Sequence, residues 1–247
     1  MESLNSQVSQ QQPTEMGFVE KLIGIFINPI KVFKDIKRKP KMLIPFIFVC
    51  IVTIVVAYIN MPLTELTQEK LSMLTLERYG VDLMQEQGTS GAISWWSMLL
   101  APVGVLVGWL IGSFFLWIMC KILRGKANMK QVLSLNIHVM MLTTIGTLIA
   151  APFGLFLNTD VSVFSLAILF PNGTMESFGY NMLYTLNLLG IWGTIITAMG
   201  LAVINEFSNT KGYIASIIIY VLSILLAAAS LTSTFWMYDF MQNQGML

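Results

Sequence analysis

The sequence predicts an all-α polytopic membrane protein of about five transmembrane helices, with its N-terminus in the cytoplasm and its C-terminus outside. Three observations predict it. Only 11% of the 247 residues are charged while 55% are hydrophobic, against about 25% charged in soluble domains. Five apolar runs of 19 or more residues lie between the charged clusters, each long enough to cross roughly 30 Å of hydrocarbon as helix. Finally, Lys and Arg alternate in density from loop to loop as the positive-inside rule requires.

Along the chain, residues 1–15 are polar, rich in Gln and Ser, and expected to be a disordered tail. They lack the charged start and short apolar core of a signal peptide. Residues 16–41 place Phe18, Leu22, Ile25, Phe26, Ile30 and Phe33 at roughly helical spacing among lysines, with Pro29 as a break. This predicts two short amphipathic segments on the cytoplasmic leaflet, their lysines facing anionic lipid. The alternative is that the apolar face docks onto the protein's own helices. The membrane domain follows over 42–237, with spans at 42–60, 97–120, 131–157, 181–204 and 212–237. Pro152 is expected to stop or kink the third. The outer loop 61–94 carries five acidic residues and reads as a solvated helix without a clean apolar stripe. Val161–Phe170 is too short to span and is expected to rest at the interface or fold back. Residues 238–247 form an outer tail.

Orientation follows from the basic residues. Twelve flank the cytoplasmic ends, seven of them between Lys21 and Lys41, whereas only Lys70 and Arg78 lie on the other side. Trp95, Trp96, Tyr180, Trp236 and Tyr238 then fall near the outer interface, where amphipathic rings are favoured.

The sequence offers no catalytic residue, no metal site and no cofactor motif: HExxH, GxSxG and the phosphate-binding loop are all missing. Cys50 and Cys120 read as small hydrophobes, and His138 as a hydrogen-bonded packing residue. Ion-coupled carriers hold charged side chains within the membrane, and apart from His138 the predicted spans hold no ionisable side chain of that kind. What they do hold is a packing signal. Gly104, Gly108 and Gly112 recur every fourth residue, and Gly146, Ala150 and Gly154 repeat the spacing on the third span. Such small residues form a shallow groove for a close helix neighbour. Packing of the second span on the third is expected, with self-association as the alternative.

Four stretches resemble the Yip (Ypt-interacting protein) family of multi-pass membrane proteins, bacterial type. Phe26-Ile27-Asn28-Pro29 with Phe33 and Lys39-Pro40 resembles the family's entry segment. Leu116–Leu133 resembles the turn between its second and third spans. Ile191-Trp192, Gly200-Leu201 and Ser208–Gly212 resemble its fourth span and the loop beyond. The resemblance implies a five-helix domain without enzymatic activity. Eukaryotic members are linked to Rab-type GTPases through a long cytoplasmic region that these residues lack; some bacterial members are associated with ABC-type exporters. The expectation is therefore a non-catalytic scaffold or accessory subunit of the bacterial cytoplasmic membrane. Its partners would be the lipid bilayer and other membrane proteins, exporter subunits among them, or a second copy, and no nucleic acid. The alternatives are a membrane-shaping protein, and a small permease or channel subunit conducting past His138, Asn136 and Asn187.

Overall fold

The computed structural model describes residues 15–81, 95–159 and 161–246, with side chains in the fifth helix described from Leu100 onward. Expectations for residues 1–14, for 82–94 of the outer loop, for the side chains of Trp95 and Trp96 and for Leu247 lie outside these.

Two ten-residue helices open the fold, α1 (Phe18–Ile27) and α2 (Pro29–Arg38). Pro29 occupies the first position of α2, where its missing N–H costs nothing, and the Asn28 side chain accepts from the Lys31 amide at 3.3 Å. Next come α3 (Leu43–Ile59) and α4 (Met61–Tyr79), bent by 61° at Asn60. Then follow α5 (Trp95–Ile122) and α6 (Met129–Leu157). A capping box between Asn128 and Gln131 starts α6. The helix runs through Pro152 without stopping.

The fourth expected span is two helices, α7 (Phe178–Thr185) and α8 (Leu188–Asn205), interrupted at Leu186 and Asn187. Backbone groups freed within a membrane must find partners inside the protein. Here the connector 161–177 supplies them. It carries a short 3-10 turn, Leu166–Leu169, and folds back so that the Leu166 amide donates to Leu186 O and the Leu188 amide to Phe164 O. The Ser165 hydroxyl closes on the Leu183 and Tyr184 carbonyls, both at 3.0 Å. Asn187 caps α8 through the Gly190 amide at 2.7 Å.

The last helix, α9 (Asn209–Asn243), has 35 residues. By length and composition α5, α6, α8 and α9 can each cross a membrane, and the bent α3–α4 pair makes a fifth candidate. No strand longer than an isolated bridge occurs among the described residues. The chain is thus an all-α polytopic membrane protein.

The largest core cluster lies toward the lysine-rich end, where α2, α5, α6 and α8 meet around Phe33, Ile36, Leu135 and Leu201. A second joins α3, α5 and α6 around Trp109 and Met141. A third, at the opposite end, packs Tyr79 of α4 against Phe235 and Tyr238 of α9. There the Tyr79 hydroxyl donates to Asp239 Oδ1 at 2.7 Å, and Arg78 pairs with Glu176 and Asp239.

Candidate functional site: the glycine face and the N-terminal hairpin

Helix α5 turns 100° per residue, so neighbouring positions serve different partners. Its contact with α6 runs through Trp109 and Ser113, both buried. The Trp109 indole donates to Leu133 O at 3.0 Å, and Asn136 Nδ2 donates to Ser113 Oγ at 2.8 Å. The glycines sit on another face. A methyl group added at Gly104 or Gly108 meets nothing within 4 Å, and one at Gly112 meets only Asn136 Nδ2 at 3.8 Å. The second span therefore does not pack on the third through its glycines. Spacing defines a face but not its rotation, and Trp109 with Ser113 sets the rotation here.

The three small residues of α6 are used within the chain. Gly146 receives Leu189 of α8 at 2.6 Å from a built Cβ, Gly154 receives Leu63 of α4 at 3.0 Å, and Ala150 is buried. The six positions do not form one groove: α6 is occupied, and Gly104 and Gly108 are open.

The N-terminal hairpin is more deeply bound than its lysine content suggests. Val32, Phe33 and Ile36 are fully buried in the main core. Phe33 therefore has no surface to offer lipid, because its face is taken by α6 and α8. Phe26 is 39% exposed and meets Trp192 edge-on at 5.8 Å, while Pro40 lies half-buried between α2 and α3. The face of α1 that remains open carries Val19, Ile23 and Ile27, all more than half exposed.

Between the two helices lies a charged group that periodicity alone does not reveal. Lys21 and Asp35 are 4% and 2% exposed, with Nζ 2.9 Å from Oδ2. Arg38 donates to the other carboxylate oxygen at 2.8 Å. Burial opposes ionisation of Asp35, yet the Lys21 and Arg38 contacts outweigh it and hold the carboxyl below its usual range. The hairpin is tied onward by Gln131 to Lys37 O at 2.8 Å and by Ser134 to Lys41 O at 2.9 Å.

A second junction gathers at Glu206, which caps α8 in the left-handed region at φ +58°. A glycine adopts this conformation more readily. The glutamate has a reason to be there: its carboxylate bridges Lys37 of α2 and Lys126 of the α5–α6 turn, the latter at 2.6 Å. Hydrogen bonds from Lys126 and then Lys37 lower its pKa to about 2. A depressed folded value contributes stability that is complete above the unfolded value near 4.5 and is lost as pH falls toward 2. In a carboxyl titration followed by NMR, Glu206 is expected to ionise well below 4.5, and Lys126→Gln to move it part of the way back. A midpoint near 4.5 in the unmutated chain contradicts the bridge.

The other polar span residues are engaged in packing. His138 is 1% exposed, with Nδ1 2.6 Å from Ser134 O. Asn205 accepts from the Ala127 amide and donates to Cys120 Sγ and Leu201 O. Among the described residues no three of His, Cys, Asp and Glu come together as a metal site would require.

Comparison with known proteins gives one family and one relative. The Yip1 domain matches residues 23–231, a stretch that includes α2 to α8 whole, half of α1 and the greater part of α9. A Bacillus subtilis (strain 168) protein, membrane protein YknW, is 25% identical over 219 residues, which cover 87% of this chain and 89% of that protein. No solved structure matches. With the bent pair and the interrupted span inside the matched region, and the greater part of the hairpin and of the long last helix with them, the chain belongs to the Yip1 family of membrane proteins.

Proposed function

We propose that the chain is a non-catalytic scaffold or accessory subunit of the bacterial cytoplasmic membrane, acting by binding other membrane proteins through the open face of α5. The observation that carries this reading is the contrast among glycines. Those at 146, 193, 200 and 212 are each filled by a neighbour within the chain, whereas Gly104 and Gly108 have none. Beside them Val103, Val107 and Ile111 are about half exposed. Close helix approach in membranes is favoured at such small residues, where van der Waals packing replaces the missing hydrophobic drive. An ABC-type exporter is the first partner class to seek, on the family's bacterial associations.

The test is affinity purification from native membranes in mild detergent, with cross-linking and mass spectrometry. A permease and ATPase in fixed ratio are expected, with Gly108→Leu reducing their recovery severalfold while leaving the melting profile unchanged. Undiminished recovery with Gly108→Leu removes α5 from the interface.

The open apolar face of α1 favours a second reading, lipid organisation by the hairpin. On this reading Ile23 and Ile27, not Phe33, enter the leaflet, and Ile23→Asp with Ile27→Asp alters the chain's effect on liposome shape.

A further inference from the structure

Just beyond the α3–α4 bend, Leu63 of α4 is seated on Gly154 of α6, 3.0 Å from a built Cβ. Beside that contact lies a cavity of about 360 Å³, bounded by the first turns of α4, by α6 from Thr147 to Gly154 and by the connector. Its walls are polar for a space between helices of a membrane domain. The side chains of Asn60, Thr64, Thr147, Thr159 and Ser162 all line it, and none of the described residues around it carries a charge.

The walls differ in what they offer a ligand. The helices offer acceptors. Thr64 and Thr147 give their hydroxyl protons to the carbonyls of Asn60 and Thr143, one turn back along the chain, at 3.1 and 3.0 Å. Their protons are committed, so their oxygens can only accept. At the bend, the Asn60 side-chain oxygen accepts no hydrogen bond, which leaves it to meet a donor once the amide turns. The connector offers donors. The hydroxyls of Thr159 and Ser162 accept from the amides of Val161 and Phe164, at 3.2 and 3.4 Å, and each keeps its own proton to give.

We propose that this cavity binds a phosphoethanolamine group, a primary ammonium and a phosphodiester joined by two carbons. An ammonium has three protons to give and nothing to accept with, which matches Asn60 Oδ1, Thr64 Oγ1 and Thr147 Oγ1 in kind and number. The phosphate oxygens accept from Thr159 and Ser162. Charge argues the same way. A bare cation or anion finds no counter-charge among the described residues of the cavity, whereas an ethanolamine phosphodiester is neutral overall and carries its own. Discrimination follows as well. Full methylation of the nitrogen, as in choline, keeps the positive charge but removes all three N–H donors. The group occurs both on a bilayer phospholipid and on its chain-free, water-soluble head, and the cavity chemistry is the same for the two.

The experiment is native mass spectrometry of the full chain in mild detergent. It is titrated with phosphatidylethanolamine and phosphatidylcholine of the same chains, and with glycerophosphoethanolamine and glycerophosphocholine. The ethanolamine form is expected to bind roughly tenfold tighter than its choline counterpart, the worth of one charge-assisted hydrogen bond. A preference seen with the lipids alone places the source in the bilayer; one seen equally with the chain-free heads places it in solution. Thr64→Val with Thr147→Val is expected to erase the preference, and Ser162→Ala to weaken both forms about equally. Equal binding of the ethanolamine and choline forms by the unmutated chain overturns the proposal without recourse to a variant, as does binding of neither. A preference that survives the double valine variant also overturns it, because the acceptors then lie elsewhere.

Discussion

Asp35→Asn destabilises the docked N-terminal hairpin by about 3–5 kcal/mol, the cost of breaking a buried ion pair from one side. The variant leaves the Lys21 ammonium, 4% exposed, without its counter-charge. It also leaves Arg38 with a weaker acceptor. Thermal unfolding in detergent is expected to show a lowered midpoint, and limited proteolysis to cut first between α1 and α2. Lys21→Met combined with Asp35→Leu is expected to recover most of the loss, because apolar pairs of similar volume replace buried ion pairs at little cost. A single variant as stable as the unmutated chain contradicts the pairing; a double variant no better than the single shows that packing, not charge, holds the hairpin. Since the Asp35 carboxyl is held below its usual range, its contribution is complete above roughly pH 4 and is lost only as pH falls through the lowered value.

The second large effect is expected at Gly212. A Cβ built there overlaps the backbone carbonyl oxygen of Ala198 and lies 3.4 Å from Ala202 Cβ. A side chain in the way can rotate; a carbonyl inside a helix cannot. Gly212→Val therefore forces α8 and α9 apart, and the cost is expected to reach or exceed the upper end of the 1–3 kcal/mol typical of overpacking. Gly104→Val is the matched control, with open space around it and no expected change in melting. If both variants melt together, the close crossing of α8 and α9 is not formed.

Hydropathy and lysine placement made the membrane fold legible, because the bilayer imposes length and polarity on every crossing segment. The interruption at Leu186–Asn187 was hidden for the same reason: an apolar run reads alike whether continuous or broken. Only the return of Ser165 to the Leu183 and Tyr184 carbonyls explains why the break is tolerated. Val161–Phe170 is legible as too short to cross, but its length alone leaves resting at the interface and folding back equally open. For the hairpin the break at Pro29 is legible, whereas spacing does not decide between lipid and the protein's own helices, which take Phe33 and Ile36. Lysines indicate a wet face by default, and Lys21 escapes that rule only because Asp35, fourteen residues on, comes opposite it. The glycines were visible by spacing, but their direction depends on Trp109 and Ser113, whose partners lie on another helix.

At 1.5 Å per residue, the 35 residues of α9 make a rod of about 52 Å, well beyond the roughly 30 Å of hydrocarbon. A free helix of that length relieves mismatch by tilting. This one is held at its foot by the close approach of Gly212 to Ala198 and at its head by Asp239 with Tyr79 and Arg78. Fastened at both ends, it cannot lean without carrying α4 and α8 with it. In a thinner or thicker bilayer the adjustment therefore falls to the surrounding lipid, which must thin or stretch around a post of fixed height.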